Sequence, residues 1–209
     1  MQLKGKDLNG GAEEGRTPGR PEVRDARDFI FVLVADGVGT GIIFDGQVYR
    51  GVRGAAGEFG HMIVGSNAPV LCSCGNDDCW EAFASERAAT ARYQRLSGAN
   101  SAPDFETLIE RALAGEQEAK TALTETARYL AIGISNLIVG FSPEAVIVGG
   151  AITRAWSLIE KALTEKIERS VRLGLPSARI LPSTLNGDPT LMGALSLVLT
   201  SKFAGTAAA

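Results

Sequence analysis

The amino-acid sequence contains few histidines, cysteines and aromatic residues, the types that most often indicate a specific function. Its 209 residues include one histidine, three cysteines and 6% aromatic residues, and its formal net charge is −3. This mildly acidic balance gives no reason to expect nucleic-acid binding. No apolar run approaches the roughly 20 residues that span a bilayer, and no signal-peptide profile opens the chain. We therefore expect a cytoplasmic protein without a membrane partner.

Cysteine and regular apolar patterning are both absent from the first part of the chain. Residues 1–27 are rich in Gly, Pro and charge, so they bury too little apolar surface to offset the entropy of ordering. We expect them to form a disordered or loosely docked tail, and the Ala-rich residues 204–209 to form a flexible one. Residues 28–203 are long enough for one domain with a full core.

From Asp28 onwards strand and helix patterns alternate. "DFIFVLVA" predicts a buried strand, and "GIIFDGQVYRG" predicts a hairpin that turns at Asp45-Gly46. Helical spacing follows in "WEAFASERAATARYQRL", in "FETLIERALA" after a cap at Asp104, and from about Glu116 to Phe141. Two more strands, "EAVIVGGAI" and "ARILPS", alternate with helices over about 154–172 and 189–202. This order predicts an α/β fold whose sheet is at least partly parallel.

All three cysteines and the histidine lie within residues 57–83. Cys72, Cys74 and Cys79, with His61 upstream, offer three thiolates and one imidazole, which suit a tetrahedral Zn²⁺ ion. Four protein ligands leave no open position, so such a zinc would be structural. The alternative is that the cysteines are small buried apolar residues. The polar, Gly-containing sequence of this loop favours the metal.

Two carboxylates flank the possible metal ligands. Glu58 precedes His61 by three residues, and Glu81 follows Cys79 by two. Carboxylates on a fixed backbone can accept hydrogen bonds from the vicinal hydroxyls of a carbohydrate. They can equally be solvated surface charges. The residues alone leave both interpretations open.

The same segment carries a family resemblance. "GAAGEFGHM" followed by "CSCGNDDCWEAFAS" resembles the signature of the ROK family (repressors, open reading frames and sugar kinases), and the resemblance extends over about 28–202. It implies an actin-like, ribonuclease-H-like α/β domain with a mixed sheet and a structural zinc loop at 57–83. It also implies that Glu58, His61 and Glu81 contact sugar hydroxyls, with His61 a metal ligand as well.

The resemblance also points to two nucleotide-binding segments. The glycines around Thr40, Gly39 and Gly41, would correspond to the second phosphate loop of the kinases, and Gly149-Gly150 to the loop on the adenosine side. A Gly-rich turn suits phosphate because bare amides can approach the anion. Without the resemblance, an ordinary hairpin turn explains the first segment. ATP and Mg²⁺ are expected only if the chain belongs to a kinase.

Two departures from the kinase pattern stand out. The sequence before "DFIFVLVA" has neither the Asp-x-Gly-Gly-Thr segment nor the Asn-Asp pair that supplies the general base in the family's N-terminal lobe, so we expect that lobe to be missing. Asp36, in "ADGVGTG", also puts a carboxylate where phosphate would bind.

The motifs "DGVGTG", "CWEAFAS" and "RAATARY" resemble the repressor branch of the family. In that branch a winged-helix module binds DNA, and residues before Asp28 are too few for its three helices. The leading hypothesis is the sugar-sensing, zinc-stabilised domain of a ROK transcriptional regulator, with DNA bound only through a module absent from this chain. The alternatives are a fragment of an ATP-dependent, glucokinase-like sugar kinase without its catalytic half, and a zinc-stabilised interaction domain. The apolar "LMGALSLVL" predicts a homo-oligomer.

Overall fold

The computed structural model describes residues 26–171 and 177–184 of the chain. The predicted tails, except for residues 26 and 27, and the predicted helix over 189–202 lie outside the described residues. The domain boundaries therefore stay predictions. No described helix combines the length and the apolar character that crossing a membrane requires.

A five-stranded mixed sheet forms the centre of the described fold. Its strands are β1 (Phe29–Val34), β2 (Val38–Phe44), β3 (Gln47–Val48), β4 (Ala145–Gly149) and β5 (Arg179–Pro182), in the order β3-β2-β1-β4-β5. β1 runs antiparallel to β2 and parallel to β4, so that Leu33 pairs with Gly39 on one side and with Gly149 on the other. The prediction of a partly parallel sheet is confirmed.

The hairpin between β2 and β3 turns at the predicted residues. Asp45 has φ 51° and Gly46 has φ 73°. Positive φ at both central residues is the requirement of a type I′ turn, which matches the twist of the flanking strands. This turn ends the sheet at its short edge strand.

Five helices are described: α1 (Trp80–Ala84), α2 (Glu86–Ser97), α3 (Phe105–Leu113), α4 (Gln117–Phe141) and α5 (Trp156–Ser170). The continuous helical pattern after Cys79 is interrupted at Ser85, which has an extended backbone (φ −77°, ψ 168°). Its hydroxyl accepts a hydrogen bond from the N–H of Ala88 at 3.3 Å, and so caps α2. Asp104 caps α3 as predicted, accepting from the N–H of Thr107 at 2.7 Å.

The long helix α4 carries the main apolar stripe. Its buried residues include Leu123, Leu130, Ile134, Leu137 and Ile138, as the periodicity predicts. Trp80 of α1 packs against this helix at Gly133, where a Cβ atom would collide with the indole ring. The indole N–H of Trp80 also donates to the carbonyl of Tyr129 at 3.0 Å. The segment just after Cys79 is thus anchored in the core.

Candidate metal centre and ligand site

The loop that carries the cysteines has a closed neck. Ile63 and Cys79 form an isolated antiparallel bridge. Beside it, the N–H of Trp80 donates to the carbonyl of Met62 at 2.8 Å. The two ends of the loop are therefore held together by backbone hydrogen bonds, and Cys79 leads directly into the anchored helix α1.

The four predicted metal ligands come together at this neck. The Nδ1 atom of His61 and the Sγ atoms of Cys72, Cys74 and Cys79 all lie within 4.8 Å of one another. Cys72 Sγ lies 3.3 Å from both His61 Nδ1 and Cys74 Sγ, and Cys74 Sγ lies 3.5 Å from Cys79 Sγ. Sulfur atoms around a tetrahedral zinc, with bonds of about 2.3 Å, are about 3.8 Å apart. This donor set fits a four-coordinate ion after side-chain movements of up to about 1 Å.

The protonation of the sulfurs follows their burial. Burial raises the pKa of Cys72 to about 12 and also raises that of Cys79. The exposed Cys74 accepts a backbone hydrogen bond from Asn76, which lowers its pKa to about 7. A divalent cation stabilises thiolates strongly, so binding one here would release protons from the two buried thiols.

His61 reaches the cluster with one ring nitrogen and Glu58 with the other. Its Nε2 atom lies 3.6 Å from Oε2 of Glu58, whose side chain is mostly exposed. Both residues belong to a short 3₁₀ turn, Glu58–His61. The turn follows Gly57, whose φ of 92° is left-handed and whose α-carbon packs on the carbonyl of Thr40 with no room for a Cβ. β2 therefore fixes where the turn begins.

A cavity of about 390 Å³ opens beside Glu58 and His61. Its other walls are mainly apolar and include Tyr49, Phe59 and Phe141. Phe59 and Phe141 pack edge to face, with ring centroids 5.4 Å apart. An apolar cavity with a few polar groups on one side is typical of a small-molecule site.

Glu81 lies beside the sulfur cluster, outside the lining of that cavity, and is only 6% exposed. Its Oε1 atom accepts hydrogen bonds from Cys72 Sγ at 3.0 Å and from Ser73 Oγ at 3.2 Å. Burial raises the pKa of Glu81, but these hydrogen bonds outweigh it and the net pKa is lowered. The sequence patterns indicate no role for Ser73. Its position between Cys72 and Cys74, two of the predicted metal ligands, is the feature that could have indicated one.

The first predicted nucleotide segment lies in a strand rather than in a loop. Gly39, Thr40 and Gly41 are all within β2, and the turn between β1 and β2 comes earlier, at residues 35–37. The hydroxyl of Thr40 donates to the carbonyl of Gly57 at 2.5 Å. In this structure Thr40 therefore holds the start of the Glu58 turn.

The second predicted nucleotide segment lies at the same end of the sheet. Gly149 ends β4, and its α-carbon packs on the ring of Phe31, while Gly150 packs on the carbonyl of Val34. A Cβ atom at either glycine would collide with β1. Close packing of β4 against β1 thus explains both glycines without a nucleotide.

The N-terminus of α2 joins the β1–β2 turn to the cysteine loop. The N–H of Glu86 donates to the carbonyl of Ala35 at 2.9 Å. The guanidinium of Arg87 donates to the carbonyls of Asp36 (3.0 Å) and Leu71 (3.4 Å). Burial, together with the negative charge of Asp36, raises the pKa of Glu86 to about 7.

Known relatives include both regulators and kinases. The chain is 31% identical over 194 residues to the xylose repressor of Bacillus subtilis, a match that covers 92% of this chain and 49% of the repressor. It is 32% identical over 176 residues to the N-acetylmannosamine kinase of Salmonella heidelberg, covering 83% of this chain and 57% of the kinase. The chain spans about half the length of the curated relatives it matches.

The fold is similar to the crystal structure of a ROK family glucokinase from Streptomyces griseus in complex with glucose and AMPPNP. The TM-score is 0.76 at 30% sequence identity, and the match covers 84% of this chain and 62% of the glucokinase chain. This likeness agrees with the expected actin-like fold with a mixed sheet. The family model for ROK matches residues 21–201, which is most of the sequence. The chain belongs to the ROK family.

Proposed function

We propose that this chain is the sugar-binding, zinc-stabilised part of a ROK-family transcriptional regulator. The observation that carries the proposal is the position of His61, with Nδ1 at the sulfur cluster and Nε2 3.6 Å from the carboxylate of Glu58. An ion in the cluster orients the imidazole, and the imidazole in turn orients the carboxylate. Such support from a metal holds a recognition site in its binding geometry.

The proposed ion is zinc. Three thiolates and one imidazole are a common structural zinc set, and the four protein ligands complete a tetrahedron. The ion therefore contributes folding free energy to residues 57–83 and takes no substrate. Its bound form keeps Glu58, His61 and Glu81 on a fixed backbone.

The proposed ligand is a monosaccharide or a sugar derivative. Glu58 and Glu81 supply acceptors for sugar hydroxyls, and His61 adds a ring nitrogen between the metal and the ligand. The names of the relatives support a sugar: two are a xylose repressor and an N-acetylmannosamine kinase, and the similar glucokinase structure holds glucose.

Charges at the β1–β2 turn favour a regulator over a kinase. Asp36 is exposed there, and its negative charge acts on the partly buried carboxyl of Glu86. The two carboxyl groups at this turn repel phosphate, and the guanidinium of Arg87 beside them is already hydrogen-bonded to the carbonyls of Asp36 and Leu71. We assign DNA binding in the whole protein to a segment outside these 209 residues.

Calorimetric titration of the zinc-loaded chain tests sugar binding directly. D-xylose, D-glucose and N-acetyl-D-mannosamine are the probes, and we expect one of them to bind. Glu58→Gln should weaken that binding about tenfold or more, because it removes a charged acceptor. Asp77→Asn, an exposed acid in the same loop, is the matched control and should leave binding unchanged. Failure of all three sugars to bind a folded, zinc-loaded chain would refute sugar sensing by this chain.

A sugar kinase is the second candidate, because the N-acetylmannosamine kinase and glucokinase matches are as similar as the repressor match. Titration with Mg²⁺ and AMPPNP separates the two. A regulator with Asp36 at the turn should show no binding. Saturable binding of the nucleotide would favour the kinase instead.

The assembly we propose is a homo-oligomer. Among the described residues, large apolar side chains are exposed at Val52 (83%), Leu71 (72%) and Ile63 (61%). Exposed apolar side chains favour association when they are contiguous. The segment "LMGALSLVL", on which the sequence prediction rests, lies outside the described residues. Light scattering at rising concentration measures the mass, and a constant monomer mass would contradict this assembly.

A further inference from the structure

The carboxylate of Glu81 is enclosed on two sides. On one side, Oε1 accepts from Ser73 and Cys72 of the cysteine loop. On the other side lies Gly37 of the β1–β2 turn: a Cβ atom on Gly37 would stand 2.7 Å from Oε2 and 3.6 Å from Cδ of Glu81. Oε2 therefore occupies space that is open only because residue 37 has no side chain.

Hydrogen bonds hold the backbone around Gly37 in place, so it cannot easily move away from Glu81. Its carbonyl accepts a hydrogen bond from the N–H of Ala35 at 2.9 Å. The carbonyls of Ala35 and Asp36 are in turn bonded to the N–H of Glu86 and the guanidinium of Arg87. Two preceding residues of this turn are thus tied to α2. A side chain added at position 37 will displace the mobile end of Glu81 rather than the turn.

The backbone of Glu81 is equally fixed. It lies in α1 next to Trp80, which packs against α4, and its carbonyl accepts from the N–H of Ser85 at 3.1 Å. Only the side-chain torsions of Glu81 are free to respond. Its Oε1 atom accepts from the thiol of Cys72 at 3.0 Å and from the hydroxyl of Ser73 at 3.2 Å.

We propose that Gly37 and Ser73 are positioning residues that together set where the Glu81 carboxylate meets the sugar. Ser73 holds Oε1 from the metal loop, and the bare α-carbon of Gly37 leaves room for Oε2 at the turn. This inference rests on the proposed sugar-binding function. It adds that the β1–β2 turn shapes the sugar site indirectly, through the steric contact between Gly37 and the side chain of Glu81.

Gly37→Ala is the direct test. The φ of Gly37 lies outside the left-handed region, so alanine suits the backbone, and its Cβ meets only the Glu81 side chain within 4 Å. We expect the variant to fold, to keep one zinc ion, and to bind the responsive sugar among D-xylose, D-glucose and N-acetyl-D-mannosamine about tenfold more weakly or worse. Gly140→Ala, with nothing within 4 Å of its Cβ, is the control and should bind as the wild type does.

A double-mutant cycle separates steric displacement from a general loss of structure. Glu81→Asp withdraws the carboxylate by one methylene, so Gly37→Ala should cost little further affinity in that background. An equal loss in both backgrounds would overturn the steric contact. For Ser73, alanine should weaken binding severalfold, and threonine, which keeps the hydroxyl, should restore it.

The experiments distinguish a failure of the proposed sugar binding from a failure of the proposed contact between Gly37 and Glu81. If the wild type binds a sugar and Gly37→Ala binds it equally well, the positioning role is wrong and the sugar function stands. If the wild type binds none of the three sugars, the proposed function fails. Crystal structures of the zinc-loaded wild type and Gly37→Ala then decide the contact: a Glu81 carboxylate still bonded to Ser73 in the variant overturns it, and a displaced one supports it.

Discussion

The Nδ1 atom of His61 lies 3.3 Å from the Sγ atom of Cys72, so the only histidine of the chain is part of the sulfur cluster. Its other ring nitrogen faces Glu58. One side chain thus connects the proposed metal centre to the proposed ligand site, and the predictions below test both parts and the packing that supports them.

The first prediction concerns the metal. The wild-type chain should bind one zinc ion, measured by elemental mass spectrometry after dialysis, because four ligands converge. Cys74→Ala should reduce the bound zinc strongly, since it removes an exposed ligand without altering the core. Ser73→Ala changes the neighbouring residue but no ligand, and should keep the metal. Equal zinc content in both variants would contradict the proposed ligand set.

The second prediction concerns the anchor of the cysteine loop. Gly133→Ala should lower the free energy of unfolding by about 1–3 kcal/mol, because the new Cβ would collide with Trp80 inside the core. Gly140→Ala lies in the same helix with free space around it, and should stabilise the protein by up to about 1 kcal/mol through helix propensity. Urea unfolding measures both. Similar effects at the two positions would mean that Trp80 does not pack as described.

The third prediction is a pH dependence at the start of α2. Burial and Asp36 raise the pKa of Glu86 to about 7, so the protonated carboxyl favours folding. That contribution is complete below the pKa of the unfolded state, near 4.5, and is lost as the pH rises through 7. Glu86→Gln removes the charge and should therefore raise Tm relative to the wild type at pH 8 but not at pH 4.

Melting curves from pH 4 to 8 test this prediction, with Glu110→Gln on the exposed side of α3 as the control. The control should not reproduce a gain that grows with pH. A constant difference between Glu86→Gln and the wild type across this range would contradict the assigned pKa shift.

The fourth prediction concerns Thr40. Thr40→Val keeps the shape of the side chain but removes the donor to the carbonyl of Gly57, and should cost about 1 kcal/mol of stability. Thr40→Ser retains the hydroxyl and should behave more like the wild type. Sugar affinity should fall with Thr40→Val as well, because the turn that holds Glu58 loses its support. A fully stable Thr40→Val with unchanged affinity would show that this hydrogen bond contributes little.

Local patterns predict much of this fold from the sequence. Short apolar runs locate β1 and β4, the Asp45-Gly46 pair gives the hairpin, and the period of apolar residues gives α4. The spacing of His61, Cys72, Cys74 and Cys79 predicts that these four residues lie close together, and in the structure they form one cluster.

Features that depend on distant packing are not visible in those patterns. The break at Ser85 lies in a segment of good helix formers, and only its cap to Ala88 reveals it. The glycine-rich stretch around Thr40 reads as a loop, yet it pairs with β1 and becomes part of a strand. The contact between Gly37 and Glu81 joins residues far apart in the chain, through a turn and a helix that meet only after folding.

The closed neck at Ile63 and Cys79 affects how a metal ion is bound and released. Backbone hydrogen bonds already hold the two ends of the loop together, so most of the loop-closure entropy is lost before any ion binds. The ion then has to order only the segment between them. We expect chelation to loosen that segment and leave α1 and the sheet in place, so that zinc can exchange in a protein that stays folded.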